Sequence, residues 1–119
     1  MLKISSFKHA ISGILLTITK HPNIRFHLLA GSLAILLSWF LKLTRVEFIM
    51  ILFVIVLVIT TEMINTAVES MVDLITLEYR KEAKIAKDIA AGMVLINSIL
   101  AMIVGLIIYW PHLQSLLHF

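Results

Sequence analysis

The sequence predicts an all-α integral membrane protein: three transmembrane helices preceded by an N-terminal amphipathic surface helix. Three observations carry this. The 119-residue chain is 61% apolar and 14% charged, whereas a soluble domain is nearer half apolar and a quarter charged; its mean hydropathy is +1.04. Three stretches are long and apolar enough to cross the hydrocarbon core, which takes about 20 residues of helix. The segment ahead of them is apolar on one side only. The length leaves room for a single membrane domain, residues 1–119. The absence of cysteine excludes disulfides and thiolate metal sites. No linker, repeat or low-complexity segment interrupts the chain, and no cleavable signal pattern is evident at its start. The net charge of +3 is modest, and no nucleic-acid partner is expected; where the charges fall says more than their sum.

Residues 1–20 form the surface helix. Phe7, Ile11, Ile14, Leu15 and Ile18 follow i, i+3, i+4 spacing, while Lys3, Lys8 and Lys20 fall elsewhere. This pattern describes a helix lying in the membrane interface, apolar side down; the alternative is a helix docked on the outside of the bundle. The first span covers residues 24–41, the second 46–77 and the third 85–110, where Pro111 is expected to end it. The second is longer than a bilayer requires, so one end emerges into water. Trp39, Phe40, Tyr109 and Trp110 suit interfacial anchors. Gly31 and Gly105 are expected to permit close helix contact, and the six methionines to fill the core and meet lipid.

Charge asymmetry orients the spans. Lys3, Lys8, Lys20 and Arg25 flank the first span on its N-terminal side; Arg80, Lys81, Lys84 and Lys87 lie between the second and third. Only Lys42 and Arg45 lie on the opposite side. The positive-inside rule therefore puts the N-terminus and the second loop in the cytoplasm, and the C-terminus with His112 and His118 outside. Glu47, near the outer face, is expected to be solvated beside Lys42 or Arg45.

The second span closes on TTEMINTAVESMVD, Thr60 to Asp73. At about 100° per residue, Asn65 sits about −60° from Glu62, Glu69 about −20°, Asp73 about +20° and Thr66 about +40°. One narrow face thus carries three carboxylates and an amide. It cannot point at hydrocarbon, where an ionised carboxylate is costly, so it meets water, a metal or another helix. The third span opens with EAKIAKDIAAG, in which Lys84, Lys87, Asp88, Ala91 and Gly92 cluster on one side. Its Lys and Asp are positioned to oppose the carboxylates, and the small residues allow close approach.

Oxygen ligands for a hard cation, with a carboxylate left over as base, suit phosphoryl transfer. Magnesium is held by one or two carboxylates together with substrate phosphates, and the reaction further needs an in-line acceptor, a base and positive charge on the phosphates. No Walker loop or Gly-rich kinase loop is present, so Lys84, Lys87 and backbone amides would have to cradle a nucleotide. Two other readings compete. A salt-bridged, solvated helix end would do no chemistry. A small cation channel or transporter would use the same residue types, but its site belongs near the bilayer midplane, whereas Glu62 to Asp73 lie at one end of an overlong helix.

The strings EMINTAVESMVD and AKIAKDIAAGMVL, with NIRFHLLAG at the first span, resemble the small prokaryotic diacylglycerol kinase family, which includes the undecaprenol kinases of Gram-positive bacteria. The resemblance covers most of the chain. It implies a homotrimer of three-span protomers in the bacterial inner (cytoplasmic) membrane, with sites shared between neighbours at the cytoplasmic boundary. It implies ATP as phosphoryl donor, Mg2+ as cofactor and a membrane lipid alcohol as acceptor. By the same resemblance Glu62 is the general base for the lipid hydroxyl, Asn65 orients the site and Glu69 ligates magnesium. Asp73, Lys87 and Asp88 bind the nucleotide or organise the site, and Lys84 is added to them from its place on the same side of the third span. AKDIAAGMVL and NIRFHL look nearer the undecaprenol kinase branch, with diacylglycerol the alternative acceptor.

One departure stands out. Where the family usually carries a glutamate that shares the metal, this chain has His21 in KHPNIRFH. An imidazole is a poorer magnesium ligand than a carboxylate. Three readings stay open: His21 ligates in the glutamate's place, Glu78 or another acid substitutes, or the metal is held more weakly. A non-catalytic family member is the limiting case. His27 is expected to line the bundle rather than bind metal.

Overall fold

The computed structural model describes residues 4–118. Four helices follow one another: α1 (Ile4–Lys20), α2 (Pro22–Phe40), α3 (Arg45–Ile75) and α4 (Lys81–Leu117). Among the described residues there is no strand. The last three helices are long and apolar enough to cross a membrane. The predicted fold class is therefore borne out: three long apolar helices behind a shorter N-terminal one. Lys3 and the start of the expected surface helix lie outside the described residues.

Local chemistry sets the breaks. Pro22 sits in the first turn of α2, and His21 before it is extended at φ −121°, ψ 108°, as a residue preceding proline must be. Arg25 then ties α2 to α1 by donating to the carbonyls of Ile18, at 2.7 Å, and Thr19. α2 ends as the Lys42 N–H bonds to the Trp39 carbonyl and the Leu43 N–H to that of Ser38, a Schellman arrangement. Lys42 takes the left-handed position at φ 56°, where glycine is the usual choice. α3 opens with a capping box: Glu47 N–H donates to Thr44 Oγ1 at 3.2 Å, and Thr44 N–H to Glu47 Oε1 at 2.9 Å.

α3 is the central helix, packing along α4 and against α2. Ile51, Val54 and Val58 are its buried apolar side chains; Ile24 of α2 and Ala90 and Ile108 of α4 complete the apolar core. At Gly31 a Cβ would come within 2.9 Å of Ile55 Cγ2, so α2 and α3 meet there as closely as the sequence suggested. Ser38 and Tyr109 hold α2 to α4: their hydroxyls lie 2.8 Å apart and both reach the Ala34 carbonyl. Phe53, Leu33, Leu36, Leu95 and Ile96 remain exposed, as side chains that meet lipid or another protein do. On α1, Phe7, Ile11, Ile14 and Leu15 form a similarly bare face, and Thr17 turns inward.

Two expectations are corrected. Pro111 does not end the last helix; α4 runs through it to Leu117. Proline removes one intrahelical hydrogen bond, but the following turn is tied to α3, with His112 Nε2 3.1 Å from Glu47 Oε1. At 1.5 Å per residue α4 is about 55 Å long, well beyond a hydrocarbon core of about 30 Å. Glu47, in turn, is not simply solvated beside Lys42 or Arg45. It is shared between the Thr44 cap and His112.

Candidate functional site

The predicted polar face of α3 becomes a gradient of burial. Thr61, Glu62 and Asn65 are buried, Glu62 to 4% exposure. Glu69 is half-buried, and Asp73 is exposed. From Glu62 to Asp73 the helix climbs about 16 Å. One row of side chains thus leads from a dry interior to open water. Packing of α2 against α3 at Gly31–Ile55 and His27–Glu62 covers the middle of α3, whereas its last turns carry α4 beside them, with Lys87 at Asp73. Thr61 satisfies its own hydroxyl on the carbonyls of Leu57 and Val58, at 2.9 and 3.0 Å, and so makes no demand on the polar row.

The row is joined up at two places. Asn65 Nδ2 donates to Glu69 Oε1 at 3.4 Å. Lys87 Nζ of α4 donates to Asp73 Oδ1 at 2.8 Å, so the expected opposition of α4 cations to α3 carboxylates is realised at that pair. Lys84 does not join it. Lys84 pairs with Asp88 one turn along its own helix, both exposed. A cleft at the α3–α4 turn, about 340 Å³, is lined by Asp73, Lys84, Lys87 and Asp88 together with Glu78, Tyr79 and Arg80. The four residues assigned to the nucleotide therefore line one cleft.

His21 is half-buried at the start of α2, its N–H bonded to the Thr17 carbonyl at 3.1 Å. Glu78 is exposed and lies 3.8 Å from Arg80. Among the described residues no three His, Asp or Glu side chains converge to hold a metal. Magnesium keeps waters and takes substrate phosphates alongside one or two carboxylates. The local chemistry favours such a guest. Asn65 Oδ1 is buried with no hydrogen-bond partner, an arrangement rare without a ligand or water to satisfy it. Beside it Glu69 has no ion-pair partner among the described residues. A half-buried anionic oxygen next to an orphaned carbonyl oxygen fits a hydrated hard cation.

At the polar row, sequence reasoning missed a contact between α2 and α3. His27, expected to line the bundle, has Nε2 at 3.8 Å from Glu62 Oε2. Periodicity shows which face of α2 carries His27, but not how that face is rotated toward α3.

Known proteins align with two thirds or more of this chain. The family model for prokaryotic diacylglycerol kinase matches residues 8–109. The undecaprenol kinase of Bacillus subtilis (strain 168) is 37% identical over 108 residues, 91% of this chain and 88% of that protein. A diacylglycerol kinase of Synechocystis sp. is 38% identical over 113 residues, 94% of this chain but 65% of that longer protein. The diacylglycerol kinase of Escherichia coli (strain K12) is 32% identical over 80 residues, 67% of this chain and 66% of its own length.

Proposed function

The chain belongs to the prokaryotic diacylglycerol kinase family, and from that premise we propose that it is an undecaprenol kinase, moving the γ-phosphoryl group of ATP onto the hydroxyl of that lipid alcohol at the cytoplasmic face of a bacterial inner membrane. Membership makes it a membrane lipid kinase. The choice of acceptor is supported by the Bacillus subtilis relative, which is covered almost end to end. The likeness of the Synechocystis protein favours diacylglycerol as the second reading.

The observation that carries the reaction is the burial gradient on α3. A lipid hydroxyl approaches from the apolar side and meets Glu62; a nucleotide approaches from water and meets Asp73 and Lys87. Glu62 takes the hydroxyl proton as the alcohol oxygen attacks the γ-phosphorus. The bond from that phosphorus to the β–γ bridging oxygen breaks, and ADP leaves. Asn65 holds Glu69 in register with the base. Glu69, with His21, would hold magnesium, which supplies positive charge to the phosphates. Lys87 adds charge from α4, and Lys84 and Asp88 border the cleft. The placement of the carboxylates toward the end of α3 supports this reading over a cation pathway, which needs them at the midplane. A homotrimer suits the bare apolar faces and would let a neighbour complete the site.

Purified protein in detergent micelles with labelled ATP and magnesium, offered undecaprenol and diacylglycerol side by side, tests the reading. Undecaprenol is expected to be the better acceptor by kcat/KM. Preference for diacylglycerol reverses the assignment, and labelling of neither lipid defeats the kinase reading. A second expectation concerns His21. His21→Glu adds an anionic oxygen and is expected to lower the magnesium concentration for half-maximal rate about tenfold, the scale on which changes around a metal alter its affinity. An unchanged magnesium titration would place His21 outside the metal's surroundings.

A further inference from the structure

The end of the bundle away from Asp73 carries a feature that phosphoryl transfer does not use. Arg45 opens α3 and lies about 42 Å along it from Asp73. A hydrocarbon core is about 30 Å thick, so the turn between α2 and α3 belongs at the other membrane interface. There the end of α2, the turn and the start of α3 border a cleft of about 910 Å³. Ile35, Leu36, Phe40 and Phe48 give it apolar walls, with Trp39 beside them. Lys42 and Arg45 stand on the same cleft.

Neither cation is matched by an anion of this chain. Glu47 is the only Asp or Glu outside residues 62–88. Its carboxylate accepts from the Thr44 N–H and lies 3.1 Å from His112 Nε2. Among the described residues neither Lys42 nor Arg45 forms an ion pair, and both are exposed. A second copy of the chain packed here would bring the same two cations and no unengaged Asp or Glu from this end. Water alone would satisfy the charges, but not their neighbours: Trp39 is 82% exposed and Phe40 66%. An amphiphile with an anionic head meets both needs. Indole rings settle at headgroup level, basic residues at a membrane surface attract anionic lipid, and a guanidinium matches phosphate geometry with paired N–H donors.

We propose that this cleft binds an anionic phospholipid of the leaflet away from the kinase site, its phosphate against Lys42 and Arg45 and its chains over Leu36, Phe40 and Phe48. The lipid is a bound partner and not the phosphoryl acceptor, whose hydroxyl has to reach Glu62 about 26 Å further along α3. The site therefore stands whichever alcohol is phosphorylated. Because the lipid bridges the end of α2 and the start of α3, its binding favours the folded chain by mass action.

The test titrates the full chain in neutral detergent with phosphatidylglycerol or with phosphatidylcholine of the same chains. Native mass spectrometry reads the lipid retained, and thermal unfolding reads its effect on the fold. Wild type is expected to bind phosphatidylglycerol about tenfold more tightly or better, and to gain more in melting temperature from it. Lys42→Gln/Arg45→Gln is expected to lose most of that preference, and Lys42→Arg/Arg45→Lys to keep it. Lys8→Gln/Lys20→Gln, the same loss of charge on α1, is expected to keep it too. sn-Glycerol 3-phosphate, a head without chains, is expected to give no thermal shift where the lipid saturates. Equal binding of the two lipids by wild type overturns the proposal. A preference that survives Lys42→Gln/Arg45→Gln also overturns it, because the lipid then sits elsewhere. So does an equal loss in the α1 pair, the mark of unspecific attraction. A shift from glycerol 3-phosphate as large as that from the lipid sinks it as well, since the apolar cleft then has no part in binding.

Discussion

Glu69→Gln is expected to reduce magnesium-supported phosphoryl transfer by about two to three orders of magnitude, since charge stabilisation by a bound metal is worth several kcal/mol. Gln matches Glu in shape, but its single carbonyl oxygen is neutral, and a hard cation selects anionic oxygen. The structure leaves the Glu69 carboxylate available for this work: its one side-chain bond is the 3.4 Å contact from Asn65, and it is half-buried. That bond is long and only partly shielded, so its loss costs at most about 1 kcal/mol of stability. Helix content and assembly size should therefore stay at wild-type values while the rate falls. The deficit should shrink as magnesium rises and be insensitive to lipid concentration. A variant that keeps full activity at the wild-type magnesium optimum would strip Glu69 of the metal role.

The spans and the polar row were legible in the sequence because both follow from properties of a single helix. Apolar length decides what can cross a bilayer, and the 3.6-residue repeat decides which side chains share a face. Glu62, Asn65, Glu69 and Asp73 could thus be grouped with no knowledge of their neighbours. What was not legible depends on how helices are rotated against one another. The Glu62–His27 contact, the tie from Glu47 to His112 and the Ser38–Tyr109 pair each join different helices, and periodicity is silent about them. Pro111 belongs to the same class. As a local feature it predicts an end; contact with α3 lets the helix continue. Lys84 errs in the other direction: its spacing allowed it to face α3, but Asp88 one turn away on its own helix is the nearer partner.

Glu62→Gln is expected to separate catalysis from folding most sharply. General-base assistance is worth about 10²–10⁴-fold, or roughly 3–5 kcal/mol of barrier, and an amide has no basic site to replace it. The lesion should appear in kcat, with KM for MgATP unchanged, because the nucleotide cleft lies toward Asp73 and Lys87 at the wet end of α3. Stability should move the other way or not at all. Burying a carboxylate carries a desolvation penalty that an amide avoids. The neighbouring His27 side chain is the more exposed of the two, 19% against 5%, so its ring nitrogen can turn to another partner. The variant should therefore unfold in detergent at the wild-type temperature or above it while turning over 10²–10⁴-fold more slowly. Undiminished turnover would remove Glu62 as the base. A fall in melting temperature matching the fall in rate would instead make it a structural member of the α2–α3 contact, leaving the lipid hydroxyl to lose its proton to another group.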